Sequence, residues 1–171
     1  MSGFKTYSYP GIGEWARQAM SYSQAIRVEN RIVCSGQGKC PSTVIPFPSR
    51  FPRRLYARGW DRASGEISGG IDAEVDQAFE NVEANLRHAG GKGWSQVYRV
   101  VTYSTDLKAT HDRIVANYRR WMPDHQPAWT EVGVARLGLD TMHVEIEVEA
   151  LDPEGAAVAK AAAEAEAAEA K

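Results

Sequence analysis

Two alternating runs near the end of the chain, residues 126–138 and 142–151, constrain its fold more than any other feature. In the second, Val144, Ile146 and Val148 alternate with Glu145, Glu147 and Glu149. In the first, Trp129, Glu131 and Gly133 share one side, and Thr130, Val132 and Val134 share the other. A period of two with β-branched residues on one side describes half-buried strands. The apolar side predicts a core contact and leaves the carboxylates on the opposite face. That row is either an ordinary solvated surface or, through Trp129, Glu131 and Glu145, the wall of a pocket.

The remaining elements supply a partner for these strands. Residues 4–9 read as a short edge strand, and a helical turn is expected over 15–20. Two strands over 25–28 and 31–35 flank Glu29-Asn30 as a tight hairpin. The hairpin runs into Ser35-Gly36-Gln37-Gly38, where glycine lets the backbone approach a ligand or turn sharply. Ile71, Val75, Phe79, Val82, Leu86 and Ala89 recur at helical spacing, and Gly90-Gly91 ends that helix. A strand follows over 97–104. A second helix is expected from about Thr110 to Met122, stopped by Pro123. The order β, β, β, α, β, α, β, β predicts an α+β fold, one mixed sheet with two helices packed on one face.

Composition excludes several classes. The chain has 171 residues with a formal net charge of −2, enough for one domain and without a general pull toward nucleic acid or an anionic membrane. No apolar run is long enough to span a bilayer, and residues 1–13 lack a signal-peptide core, so the expected compartment is the cytosol. Cys34 and Cys40 suggest neither a disulfide framework nor a metal spacing. His88, His111, His125 and His143 are scattered, so no metal and no cofactor are expected. There is no nucleophile elbow, and Gly36-Gln37-Gly38-Lys39 lacks the glycine spacing of a phosphate loop.

Several segments together resemble one family. They are Tyr22-Ser23-Gln24-Ala25, Cys34-Ser35-Gly36-Gln37, the helix with Gln77 and Asn81, residues 100–106, and Pro127-Ala128 through Ala135-Arg136-Leu137 to Val144-Glu145-Ile146-Glu147. They are similar to the YjgF/RidA family of reactive-intermediate (enamine/imine) deaminases, also called L-PSP endoribonucleases. Glu29-Asn30-Arg31 and Trp121-Met122-Pro123-Asp124-His125 look most like fungal members. The resemblance implies a chorismate-mutase-like single domain over residues 1–153 and a homotrimer with small-molecule pockets between subunits. It makes Glu145 and the Gly36 turn catalytic, and Tyr22, Ser35, Gln37, Trp129, Glu131 and Asn117 ligand-binding. Burial beside Glu131 is expected to raise one carboxyl pKa.

One position departs from the family pattern. Its deaminating members hold the substrate carboxylate with an arginine two residues after the family proline, and here Pro127 leads to Trp129. A charge-assisted contact of this kind is worth roughly 1.5–3 kcal/mol. Its loss predicts a preference for neutral or cationic amine and aromatic ligands over 2-imino acids, with Trp129 as a stacking and cation–π platform. Three functions follow: hydrolysis or tautomerisation at C=N or C=C–N, non-catalytic ligand binding or chaperone-like activity, and, ranked last, RNA cleavage. The last needs a basic, aromatic surface, which only the stretch with Arg50, Arg53 and Arg54 offers. No nucleic-acid partner is expected.

That stretch, residues 39–58, holds four of the eight prolines and has no period of either kind. It reads as an irregular Pro/Arg-rich insertion within the domain, either a lid over the pocket or a translated intron, and the fold is expected to survive its removal. Residues 154–171 are almost wholly Ala, Glu and Lys and predict a frayed helical or disordered tail.

Overall fold

The structure, a computed structural model, describes residues 4–38 and 70–169; the insertion at 39–58 lies outside them. Strands β1 (Phe4–Tyr7), β2 (Ala25–Val28), β3 (Arg31–Gln37), β4 (Val97–Ser104), β5 (Ala128–Gly133) and β6 (Val144–Leu151) form one sheet in the order β1-β2-β3-β6-β4-β5. Neighbours are antiparallel except β4 and β5, which run parallel. The mixed sheet is as the sequence predicts, with β1 on an edge.

Four helices lie among the described residues: α1 (Ile12–Met20), α2 (Gly70–His88), α3 (Leu107–Trp121) and α4 (Pro153–Glu169). The predicted face of α2 is the one that is used. Val75, Phe79, Val82 and Leu86 are fully buried in one cluster with Ile32, Cys34, Val144, Ile146 and Val148 from the sheet. Burying a side chain of this size contributes about 1.5–3 kcal/mol. The Trp94 ring stacks on Phe79 at 4.7 Å, and its indole N–H donates to the Phe79 carbonyl (2.9 Å). Gly90 ends α2 at φ +85°, a left-handed conformation that glycine adopts without a Cβ penalty. Helix α3 starts earlier than its apolar spacing predicts, because the Asp106 side chain accepts from the Ala109 N–H (3.1 Å) and caps it.

A buried ion pair ties the sheet to the helix ends. Arg27 on β2 meets Asp152 at 2.6 Å, with only 5% and 1% of the two side chains exposed. The same guanidinium donates to the Ala89 carbonyl at the end of α2 (3.0 Å). Asp152 also accepts from Gln96 (2.8 Å) and from the Gly155 N–H (3.1 Å), and so caps α4. Beyond that cap α4 is largely exposed, as its lack of an apolar stripe requires. None of the described helices is long and apolar enough to cross a membrane.

Candidate functional site

The sheet separates the predicted site residues into two groups. On β6, Val144, Ile146 and Val148 face the helices, which turns Glu145, Glu147 and Glu149 to the other, open face. Register places Tyr103, Val101 and Arg99 of β4 beside them. Arg99 pairs with Glu149 (3.0 Å), Tyr98 donates to Glu149 (2.6 Å), and Tyr103 donates to Glu147 (3.4 Å).

Glu145 lies at the end of this row, against β3. The β3–β6 ladder shifts register between Cys34 and Gln37, so Ser35 and Gly36 oppose one residue of β6. A Cβ at Gly36 would fall onto the Glu145 carboxylate, which makes glycine a requirement of close approach and not of backbone angle. Burial raises the Glu145 carboxyl above its usual range, and the Glu147 charge raises it further. A carboxyl shifted this way carries its proton closer to neutrality, as a general acid/base must.

The bulge is braced from inside the protein. The Ser35 hydroxyl and backbone N–H both donate to the Gln24 carbonyl (3.0 Å each). The buried Gln37 amide donates to the Gln24 side-chain oxygen (2.9 Å) and to the Ser35 carbonyl (2.9 Å). Gln24 in turn donates to the Tyr22 hydroxyl (3.2 Å), and Asn85 of α2 donates to the Gln24 carbonyl (2.8 Å). Gln37 therefore holds the turn, while Tyr22 keeps an exposed ring. The sequence reading missed Gln24, whose position in Tyr22-Ser23-Gln24 was the only signal for it.

Within one chain Trp129 and Glu131 do not share the open face with Glu145. Trp129 pairs in register with Val100 and Glu131 with Thr102, both residues of the buried, helix-facing set of β4. The indole N–H donates to the Thr102 hydroxyl (2.9 Å), and the ring packs edge-on to Tyr118 at 5.0 Å. The physical reason is size. An indole with a hydrogen-bond partner fills the space under α3 better than the β-branched set of the same strand. Nor is Trp129 an open stacking platform, because the His111 ring lies over it at 5.5 Å. The rise in the Glu145 pKa comes from burial and Glu147, not from Glu131.

Asn117 also has other work. Its amide donates to Asp76 of α2 (2.7 Å), and its oxygen accepts from the Trp121 indole (3.2 Å). With the Arg113–Asp76 ion pair, it clasps the two helices.

The second group gathers where the first turns of α3 meet β5. His111 Nδ1 lies 2.8 Å from a Glu131 carboxylate oxygen, above a groove of about 420 Å³ lined by Leu107, Lys108, His111, Asp112 and Glu131. Sequence spacing could not pair positions 111 and 131, but the β4–α3–β5 crossover sets the start of the helix beside the end of the parallel strand.

Known proteins share this arrangement of elements. Residues 53–152 match the family model described as Endoribonuclease L-PSP. A RutC family protein of Aquifex aeolicus is 32% identical over 133 residues, covering 76% of this chain and 87% of its own. Saccharomyces cerevisiae "Protein MMF1, mitochondrial" is 28% identical over 135 residues, covering 78% and 77%. Among solved structures, E. coli YjgF superposes with a TM-score of 0.62 at 24% identity, over 86% of this chain and 98% of that one. By the extent of the family match, the identity to the Aquifex protein and the common fold, the chain belongs to the YjgF/RidA (endoribonuclease L-PSP) family.

Proposed function

We propose that the chain is a chorismate-mutase-like homotrimer that binds a small molecule between subunits and hydrolyses or tautomerises a C=N or C=C–N group. The observation that carries the chemistry is the Glu145 carboxylate, packed against the Gly36 bulge and raised in pKa by burial. The turn at Gly36 polarises a substrate or holds water, and Glu145 moves the proton. No cofactor or metal takes part in this reading.

The division of the site supports assembly. Glu145 and Gly36 lie on the open face of the sheet, while the His111–Glu131 groove lies at the edge under α3. One chain cannot close both groups around one small molecule. A second copy that covers the open face brings its β5 edge to the first copy's bulge, and three-fold closure repeats the pocket. The ribonuclease reading is weaker, because the carboxylate row at Glu145, Glu147 and Glu149 repels a phosphate backbone. The cytosol is the proposed compartment, although the yeast relative is named as mitochondrial.

The test is carbonyl and ammonia release from a panel of imines, with sedimentation on the same sample. A trimer is expected at micromolar concentration, with Glu145→Gln retaining the trimer and losing at least about 100-fold in rate. A monodisperse monomer would remove the inter-subunit pocket. A trimer that turns over no imine would leave a binding module.

A further inference from the structure

The groove under α3 carries an unassigned set of proton-transfer groups. An ionised Glu131 can only accept, so the 2.8 Å contact fixes the Nδ1–H tautomer of His111. The other ring nitrogen, Nε2, is left as the acceptor on a side chain that is 49% exposed. The imidazole cannot swing freely, because Trp129 stacks beneath it and is held by Thr102 and Tyr118. The second Glu131 oxygen is buried and finds no hydrogen-bond partner among the described residues, and neither does the Tyr118 hydroxyl. The charged groups facing the ring are Glu131 from β5 and Lys108 and Asp112 from α3. Two carboxylates against one ammonium make this wall unfavourable for an anion and favourable for a cation.

We propose that His111 is a catalytic proton carrier positioned by Glu131, and that its substrate is a protonated imine without a carboxylate, derived from an amine and not from an amino acid. This rests on the imine-hydrolysis reading above and adds the second half of the pocket. Water attacks the iminium carbon as Nε2 takes a proton from it, and the C=N π pair moves to nitrogen to give a neutral carbinolamine. The imidazolium returns that proton to the amine nitrogen. The Glu145 carboxylate then takes the hydroxyl proton as the C–N bond breaks, so carbonyl and ammonia leave. The one proton that entered with the iminium is finally released from Glu145 to solvent. Glu131 compensates the imidazolium at each stage without being protonated, and its hydrogen bond raises the His111 pKa.

The probe is the imine generated in situ by an amine oxidase from benzylamine, with carbonyl release read against capture by semicarbazide. His111→Asn is expected to lower kcat at least about 100-fold with little change in KM. Glu131→Gln should retain more activity but shift the acidic limb of the pH–rate profile to lower pH, along with the His111 midpoint read by ¹⁵N NMR, because the base His111 loses the contact that raises its pKa. If the pair is merely structural, the His111 midpoint moves while the pH–rate midpoint stays in place. If His111→Asn keeps its rate within about twofold while Glu145→Gln loses it, the dyad is overturned and the imine reading stands. If the wild type turns over neither this probe nor a 2-imino acid, the dyad and the imine reading fall together. If it turns over only the 2-imino acid, the cationic specificity is wrong.

Discussion

Asp152→Ala should destabilise the domain by about 3–5 kcal/mol, seen as a fall in Tm of roughly 10 °C. The substitution leaves the Arg27 guanidinium buried without its counter-charge. It also strips Gln96 of its acceptor and α4 of its cap. Replacing both members, as in Arg27→Met with Asp152→Leu, should cost less than Asp152→Ala alone, because no uncompensated charge is left behind. A double variant as damaged as the sum of its singles would show that the pair is not coupled. The same carboxyl sets an acid limit. Burial alone would raise the Asp152 pKa, but the donors from Arg27, Gln96 and Gly155 outweigh it and hold it below the usual range. Its folded pKa is thus lower than its unfolded one, so its contribution is complete above the unfolded value of about 4 and is lost as pH falls through the folded value. Asp76, held low against burial by Arg113 and Asn117, adds to the same acid-side loss.

Gly36→Ala should lower activity about 100-fold while changing Tm by only a few degrees. The added methyl occupies the space of the Glu145 carboxylate, which is the far end of a flexible side chain and moves aside at little cost in folding energy. The displaced carboxylate no longer faces the bulge. Misplacement by about 1 Å is enough for a loss of this size. Glu145→Gln keeps the position and removes the proton, so the two variants separate geometry from acidity. Gly36→Ala with unaltered kcat would show that Glu145 does not act from this position.

Much of the fold was legible because its signals are local. The apolar spacing of α2, the alternation in β6 and the hairpin around Glu29-Asn30 each lie within a few residues of one another. The Glu145–Gly36 approach was reachable only through family resemblance. What local pattern could not give was the direction of β5. Its alternation was read correctly, but which side met the helices depended on its parallel register with β4 and on the space under α3. Trp129 and Glu131 were therefore assigned to the wrong face. The Asn117 contact was hidden for a similar reason, since its partner Asp76 is on another helix. His111 was weighed only as a metal ligand, because its carboxylate partner is twenty residues away in sequence. The Arg27–Asp152 pair was invisible in sequence, its members lying 125 positions apart.

In the proposed trimer one pocket is built from two subunits, with the Gly36 bulge and Glu145 from one and the groove at Leu107, His111 and Glu131 from its neighbour. Complementation between two inactive variants is the test. Glu145→Gln disables the open-face half. Leu107→Trp blocks the groove with a bulky ring and leaves the proton-transfer groups in place. Each variant alone should be an inactive trimer. Co-refolded in equal amounts, they should regain roughly a quarter of the wild-type rate, because a random trimer places an intact bulge opposite an open groove at that frequency. Mixed trimers with no more activity than their parents would mean that both halves are needed from the same chain, and the two-subunit pocket would be wrong.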